Sequence, residues 1–122
     1  MKERRIIKLM LVVMVALSAC YYDSEEDLYP ANECNTTNMS FTTHIAPIFE
    51  RNCYSCHSTA ANTGNITLEG HGNVMKHVTS GKLLGAIRHE AGFQPMPQGS
   101  AKLISCDISK IEQWIVQGSL NN

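Results

Sequence analysis

The 122-residue sequence lacks several patterns that would identify common functions. It has ten Lys and Arg against eleven Asp and Glu, so it lacks the basic excess typical of nucleic-acid binding. It has no phosphate-binding loop, acid–base pair or nucleophile constellation that would support independent catalysis. Its apolar run from Leu9 to Ala16 is too short to cross a bilayer as a helix. We therefore expect a protein that is not an enzyme by itself and that binds no nucleic acid.

Two of the five cysteines stand in the pentapeptide Cys53-Tyr54-Ser55-Cys56-His57. This spacing is the attachment pattern for c-type haem. On one helical turn both thiols can form thioethers with the vinyl groups of a porphyrin, and His57 can then take an axial position on the iron. A structural zinc site would need four ligands, usually with a second Cys or His pair at short spacing, and a thioredoxin-type redox pair would need a βαβ setting. The sequence has neither pattern. A chance occurrence of the motif is the third alternative. The motif therefore predicts one covalent haem c on Cys53, Cys56 and His57.

The N-terminus has the features of an export signal. Four basic residues within the first eight precede the apolar run. The segment ends in Leu17-Ser18-Ala19-Cys20, which resembles a bacterial lipobox. The resemblance implies cleavage before Cys20 and a lipid on Cys20. It places the protein in the cell envelope, on the periplasmic side or the outer-membrane surface. An ordinary secretory signal with a chance cysteine is the alternative.

Composition divides the chain into three parts. Residues 1–19 are the predicted signal peptide, 20–38 a lipid-anchored flexible acidic tether, and 39–122 the domain. The tether is polar, has no helical period and contains Pro30. After cleavage, six basic and ten acidic residues give the chain a formal charge of −4. The remaining length suits one small domain with a modest core.

Two cysteines, Cys34 and Cys106, are left once lipid and haem are assigned. In an oxidising compartment two such cysteines most simply form a disulfide with each other. Two separate free thiols are the alternative.

Three short helical segments are predicted before the final helix. Thr42 or Thr43 is expected to cap the first, and Pro47 is tolerated because it lies near the first turn. Asn73 is expected to cap the second. Glycine and asparagine predict a loop over residues 58–72. The three segments cover residues 43–52, 73–80 and 83–87.

The final helix has the clearest pattern. Ser105 is its expected N-cap, Asp107 suits the positive end of the helix dipole, and Gly118 ends it. Trp114 borders the apolar stripe, and we expect it to pack on the first helix through residues such as Phe49. The stripe is formed by Ile104, Ile108, Ile111 and Ile115.

Met96 is the expected second iron ligand. It lies between Pro95 and Pro97, which restrict the backbone on both sides and can hold a thioether in place without a helix. A sulfur ligand opposite His57 also raises the reduction potential of haem iron. We expect no role for His44. The rival ligands are His71, His77 and His89.

The motif CYSCH after a short amphipathic helix, PMP about forty residues later, and the final helix ISKIEQWIVQG together resemble the class I cytochrome c domain. The likeness covers residues 40–122 and is closest to small monohaem domains of bacterial lipoproteins. It implies an all-α fold of three to five helices wrapped around covalently bound haem c, with long loops. It also implies thioethers at Cys53 and Cys56, His57 as proximal ligand and Met96 as distal ligand.

The function implied by this resemblance is one-electron transfer between redox protein partners, by a monomer or in transient complexes, with a lipid anchor at the membrane. Two alternatives stay open. One is a gas sensor or enzyme with an open sixth position on the iron. The other is an accessory haem subunit that docks a larger respiratory complex.

Overall fold

The computed structural model describes residues 34–122. The predicted signal peptide, the predicted lipid site at Cys20 and the part of the predicted tether up to residue 33 lie outside the described residues. Within 34–122 every regular element is helical and none is a strand, which confirms the predicted all-α class. None of the helices in this range has the length and hydropathy needed to cross a membrane.

Residues 34–122 contain five α-helices, one π-helical turn and one 3₁₀ turn, and some of these elements are joined by long loops. In chain order the elements are the π-helical turn Phe41–Ile45, α1 Ala46–Asn52, α2 Tyr54–His57, the 3₁₀ turn Thr63–Asn65, α3 His71–Thr79, α4 Lys82–Ile87 and α5 Ser105–Val116.

The first helical segment begins earlier than predicted. Thr42 and Thr43 both lie inside the π-helical turn, so neither is its cap. The cap is Ser40, whose hydroxyl accepts a hydrogen bond from the backbone N–H of Thr43 at 3.4 Å. The side chain of Ser40 thereby satisfies a donor that has no partner within the helix.

The wide turn before α1 follows from Pro47. Proline has no N–H to donate, and its ring crowds the carbonyl four residues earlier. Ala46, the residue before it, donates to the carbonyl of Phe41, five residues back, which is the π-helical spacing. The π turn thus accommodates the proline and lets a helical path continue into α1.

The predicted cap of the second helix is also wrong. Helix α3 begins at His71 after Gly70, and Asn73 lies within its first turn. The Asn73 side chain instead donates to the carbonyl of Glu69 at 2.8 Å. Gly70 has a φ of 84°, a left-handed conformation that a residue with a side chain rarely adopts, and this allows the chain to turn into the helix three residues before the predicted cap.

The start of α5 differs from the prediction in two residues. Ser105 is the first helical residue, and its side chain makes no capping hydrogen bond. Ile104 has an extended backbone and is 67% exposed, so it does not belong to the buried stripe. Asp107 is in the first turn as expected, and its carboxylate lies 3.7 Å from the guanidinium of Arg51.

Gly118 terminates α5 as predicted. Its φ of 98° is in the left-handed region, and its N–H donates to the carbonyl of Ile115 at 3.0 Å. The N–H of Ser119 donates to the carbonyl of Trp114 at 2.9 Å. These two bonds form a Schellman motif, which satisfies carbonyls at the end of the helix.

Trp114 is at the centre of the core. It is fully buried, and its ring centroid lies 5.5 Å from that of Phe41 and 5.8 Å from that of His71. Helix α5 therefore packs closely on the π-helical turn that carries Phe41. Phe49 of α1 belongs to the same core. The six largest fully buried side chains are Trp114, Phe49, Ile45, Ile48, Ile111 and Val74.

The segment before the π turn, residues 34–39, is fixed to α5 and is called here the N-terminal strap. Cys34 and Cys106 form a disulfide with their Cα atoms 5.5 Å apart. Near the other end of α5, the Gln117 side chain donates to the carbonyl of Thr36 at 3.0 Å and accepts from the N–H of Met39 at 2.8 Å. The strap therefore contacts both ends of α5.

Candidate functional site

The cysteine–histidine motif forms one helical turn. Cys53 lies at the junction between α1 and α2, and its N–H donates to the carbonyl of Phe49 at 2.8 Å. The carbonyl of Cys53 in turn accepts from the N–H groups of Cys56 and His57 at 3.1 and 2.8 Å. Both cysteines are free thiols. One short helical turn thus carries both thiols and the imidazole.

The two thiols have different surroundings. Cys53 packs against the core, whereas Cys56 is exposed. Burial raises the pKa of the Cys53 thiol to about 11, because the thiolate is poorly solvated there. Only the thiolate is a good nucleophile, so Cys56 is the more reactive of the pair in the chain without haem.

We expect iodoacetamide at pH 8 to alkylate Cys56 at least about tenfold faster than Cys53 in the haem-free chain. Raising the pH should increase the rate at Cys53 up to its pKa of about 11. Peptide mass spectrometry after timed quenching, with the Cys34–Cys106 disulfide left intact, measures both rates. Denaturant is the control and should make the rates equal. Equal rates in the folded chain would contradict the difference in burial.

The imidazole of His57 is oriented by a backbone carbonyl. Its Nδ1 lies 3.2 Å from the carbonyl oxygen of Ile66. A carbonyl only accepts, so Nδ1 carries the hydrogen and Nε2 of the neutral ring keeps its lone pair. Histidines that bind metals through Nε2 are commonly held by such a bond on Nδ1.

The loop after α2 brings Ile66 back to His57. Its return is fixed where the N–H of Leu68 donates to the carbonyl of His57 at 2.8 Å. Glu69 also accepts from the N–H of Thr59 at 2.8 Å, and this donor lowers the pKa of the Glu69 carboxyl. The sequence predicted a loop here but gave no sign of the carbonyl at Ile66, because any residue carries one.

Met96 lies on the loop that follows α4. Its N–H donates to the carbonyl of Ala86 at 3.0 Å, and its own carbonyl accepts from Nε2 of His89 at 3.0 Å. The side chain is half-buried. The backbone of Met96 is therefore held on both sides by the residues at the end of α4, in addition to the restriction that the two prolines impose.

The three rival histidines differ in what they contact. Nε2 of His71 lies 2.7 Å from the carbonyl of Ser119, and its ring packs edge-on against Phe41 and Trp114. His89 is bonded to Met96. Both rings therefore have a structural partner on Nε2, the nitrogen by which haem-binding histidines most readily reach iron.

The imidazole of His77 on α3 has no hydrogen-bond partner among residues 34–122, and the residue is half-buried. Burial lowers its pKa, and the positive charges of Lys82, His57 and Lys76 lower it further. Because His71 and His89 are hydrogen-bonded through Nε2, His77 is the remaining histidine rival to Met96. His44 accepts at Nδ1 from the N–H of Ser40 at 3.0 Å.

Cys53, Cys56, His57 and Met96 are all in the described part of the chain, and their donor types suit haem c. Within that part no group of three or more His, Cys, Asp and Glu side chains could hold a metal ion. A porphyrin iron needs only its axial ligands from the protein, and these can be one imidazole and one thioether. Comparison with family models, curated proteins and solved structures gives no match for this chain.

Proposed function

We propose that residues 39–122 form a class I cytochrome c domain that transfers single electrons through one covalently attached haem c. Cys53 and Cys56 would carry the thioethers, His57 would bind the iron through Nε2, and Met96 would bind it on the opposite side. When bound, the haem supplies an iron that exchanges one electron between its ferrous and ferric states.

One observation carries the proposal above the others. Nδ1 of His57 is paired with the carbonyl of Ile66, in a helical turn that also holds two free thiols. A zinc site would use the same bond on its histidine, but residues 34–122 contain no group of three or more His, Cys, Asp and Glu side chains that could hold the ion. A redox dithiol does not need the tautomer of a neighbouring histidine to be set. An axial histidine does need it, because the orientation and basicity of the ring tune the iron.

The remaining residues have supporting roles. Cys53 and Tyr54 of the motif pack against the core that contains Phe49 and Trp114, and the loops after α2 and α4 supply Ile66 and Met96. With His57 and Met96 as its two protein ligands, the haem iron would have no position left for a substrate. Its partners would be redox proteins that bind through small, weak interfaces. The lipid on Cys20 would keep the domain at a membrane of the cell envelope.

The replacement Met96→Leu tests the ligand assignment in the full chain with covalent haem. We expect the ferric variant to lose the methionine–iron charge-transfer band and to become high-spin. Its reduction potential should fall, because the sulfur ligand favours ferrous iron. Redox-titrated absorption spectroscopy measures all three properties.

Met75→Leu is the matched control, since Met75 is a half-buried methionine that packs against the core from α3. It should keep the wild-type spectrum and potential. If Met96→Leu keeps them as well, Met96 is not the ligand. His77→Phe would then be examined for the same losses, and an unchanged spectrum in both variants would favour an open sixth position.

A further inference from the structure

The loop that carries Met96 is attached to α4 by several backbone hydrogen bonds. The carbonyl of Ala86 accepts from the N–H groups of both His89 and Met96, at 3.2 and 3.0 Å. The carbonyl of Gly85 accepts from Glu90 at 2.9 Å. The last turn of α4 therefore accepts hydrogen bonds both from the start of the loop and from Met96 farther along it.

Gly85 allows the ring of Phe93, in the same loop, to lie close against α4. It is buried, and a Cβ atom at this position would lie 2.5 Å from the ring of Phe93. Any larger residue would push Phe93 away from α4. The ring of Phe93 thus lies directly against α4 at Gly85.

The start of the loop is also fixed to the rest of the domain. Nε of Arg88 donates to the carboxylate of Glu112 on α5 at 2.7 Å. His89 follows directly and has a φ of 58°, in the left-handed region that most residues other than glycine rarely adopt. This backbone turn directs the chain back along α4.

The side chain of His89 adds one more contact to the backbone of Met96. Its Nε2 lies 3.0 Å from the carbonyl oxygen of Met96, so this nitrogen must carry the hydrogen. The nitrogen that donates has no lone pair for a metal. Of the hydrogen bonds described for residues 34–122, this is the one that a side chain makes to the backbone of Met96.

We infer that His89 is a positioning residue for Met96 rather than an iron ligand. By holding the carbonyl of Met96, it limits how often the thioether leaves the axial position, and so protects the iron from small molecules that compete for that position. The inference rests on the proposed function, because it takes Met96 to be the sixth ligand.

His89→Leu and His89→Gln form a matched pair for the test. Both keep a Cβ on the same left-handed backbone, but only glutamine keeps an N–H donor of similar reach. The probe is imidazole, titrated into the ferric holoprotein and followed by the loss of the charge-transfer band. We expect His89→Leu to bind imidazole about fivefold more tightly than wild type, since a hydrogen bond of this kind contributes about 1 kcal/mol. His89→Gln should stay near wild type.

Two further readouts separate positioning from a general loss of stability. The backbone N–H of Met96 should exchange with solvent faster in His89→Leu, while exchange in α5 stays unchanged. The reduction potential of His89→Leu should be lower than that of His89→Gln. If His89→Leu does not fold, His89→Gly replaces it, because glycine accepts this backbone and has no donor.

Unchanged imidazole affinity in the donor-free variant would overturn the inference, and so would equal tightening in His89→Gln. Both outcomes leave the proposed function intact as long as Met96→Leu loses its charge-transfer band. A wild-type spectrum in Met96→Leu would instead remove the ligand assignment itself. The two failures are therefore distinguishable.

Discussion

Replacing Cys34 and Cys106 together by serine is expected to lower the free energy of unfolding by about 4 kcal/mol. The disulfide joins residues 72 positions apart, so it removes a large loop-closure entropy from the unfolded chain. It also tethers the strap to α5 at the end opposite to Gln117. Guanidinium unfolding of the haem-loaded protein, followed by far-ultraviolet circular dichroism, measures the difference.

Gln117→Ala is the matched control for the strap. It removes the two hydrogen bonds to Thr36 and Met39 but leaves the covalent link in place. We expect it to cost about 1–2 kcal/mol, clearly less than loss of the disulfide. If the double serine variant costs no more than Gln117→Ala, the disulfide does not stabilise the fold by closing the loop.

Trp114→Ala is expected to lower the free energy of unfolding by about 3–5 kcal/mol. The side chain is fully buried and contacts the rings of Phe41 and His71. Its indole N–H also donates to the carbonyl of Leu120 at 3.0 Å, which holds the chain after α5 against the core. Alanine would leave a cavity between α5 and the π-helical turn.

Val116→Ala is the control on the same helix, because Val116 is 76% exposed. Its effect should stay within about 0.5 kcal/mol. Trp114→Phe should lie between the two, since it keeps most of the buried ring but loses the hydrogen bond to Leu120. A cost for Trp114→Ala no larger than that for Val116→Ala would contradict the central place of Trp114 in the core.

The sequence was sufficient where side-chain spacing decides the structure. The stripe on α5 was predicted correctly at Ile108 and Ile111, because helical periodicity places both on the buried face. It failed at Ile104, where the chain is still extended and the side chain turns outward. A period cannot show where the helix begins, and Ser105 proved a misleading cap signal.

The first helix was misjudged for a related reason. Pro47 was correctly placed near a helix start, but its effect on the preceding turn was not foreseen. The π form moves the start back to Phe41 and makes Ser40 the cap. Two threonines at the expected position were stronger signals in the sequence than one serine two residues earlier.

The candidate site also has a part that the sequence predicts and a part that only the structure shows. Cys53, Cys56 and His57 are contiguous, so their relative placement follows from one helical turn. The carbonyl of Ile66 could not have been predicted, because backbone groups leave no trace in residue identity. The role inferred for His89 was missed as well, since only the fold shows that its ring meets the backbone of Met96 rather than solvent.

The strap gives the domain a defined response to mechanical force. A pull on the chain before Cys34 enters the fold through the disulfide and is passed directly to α5, at the residue next to Asp107. The hydrogen bonds from Gln117 to the strap lie beyond that point, and the covalent disulfide bears most of the load. A load applied at Cys34 would therefore reach α5 directly, and would rotate the domain without first deforming the π-helical turn and the turn that carries His57.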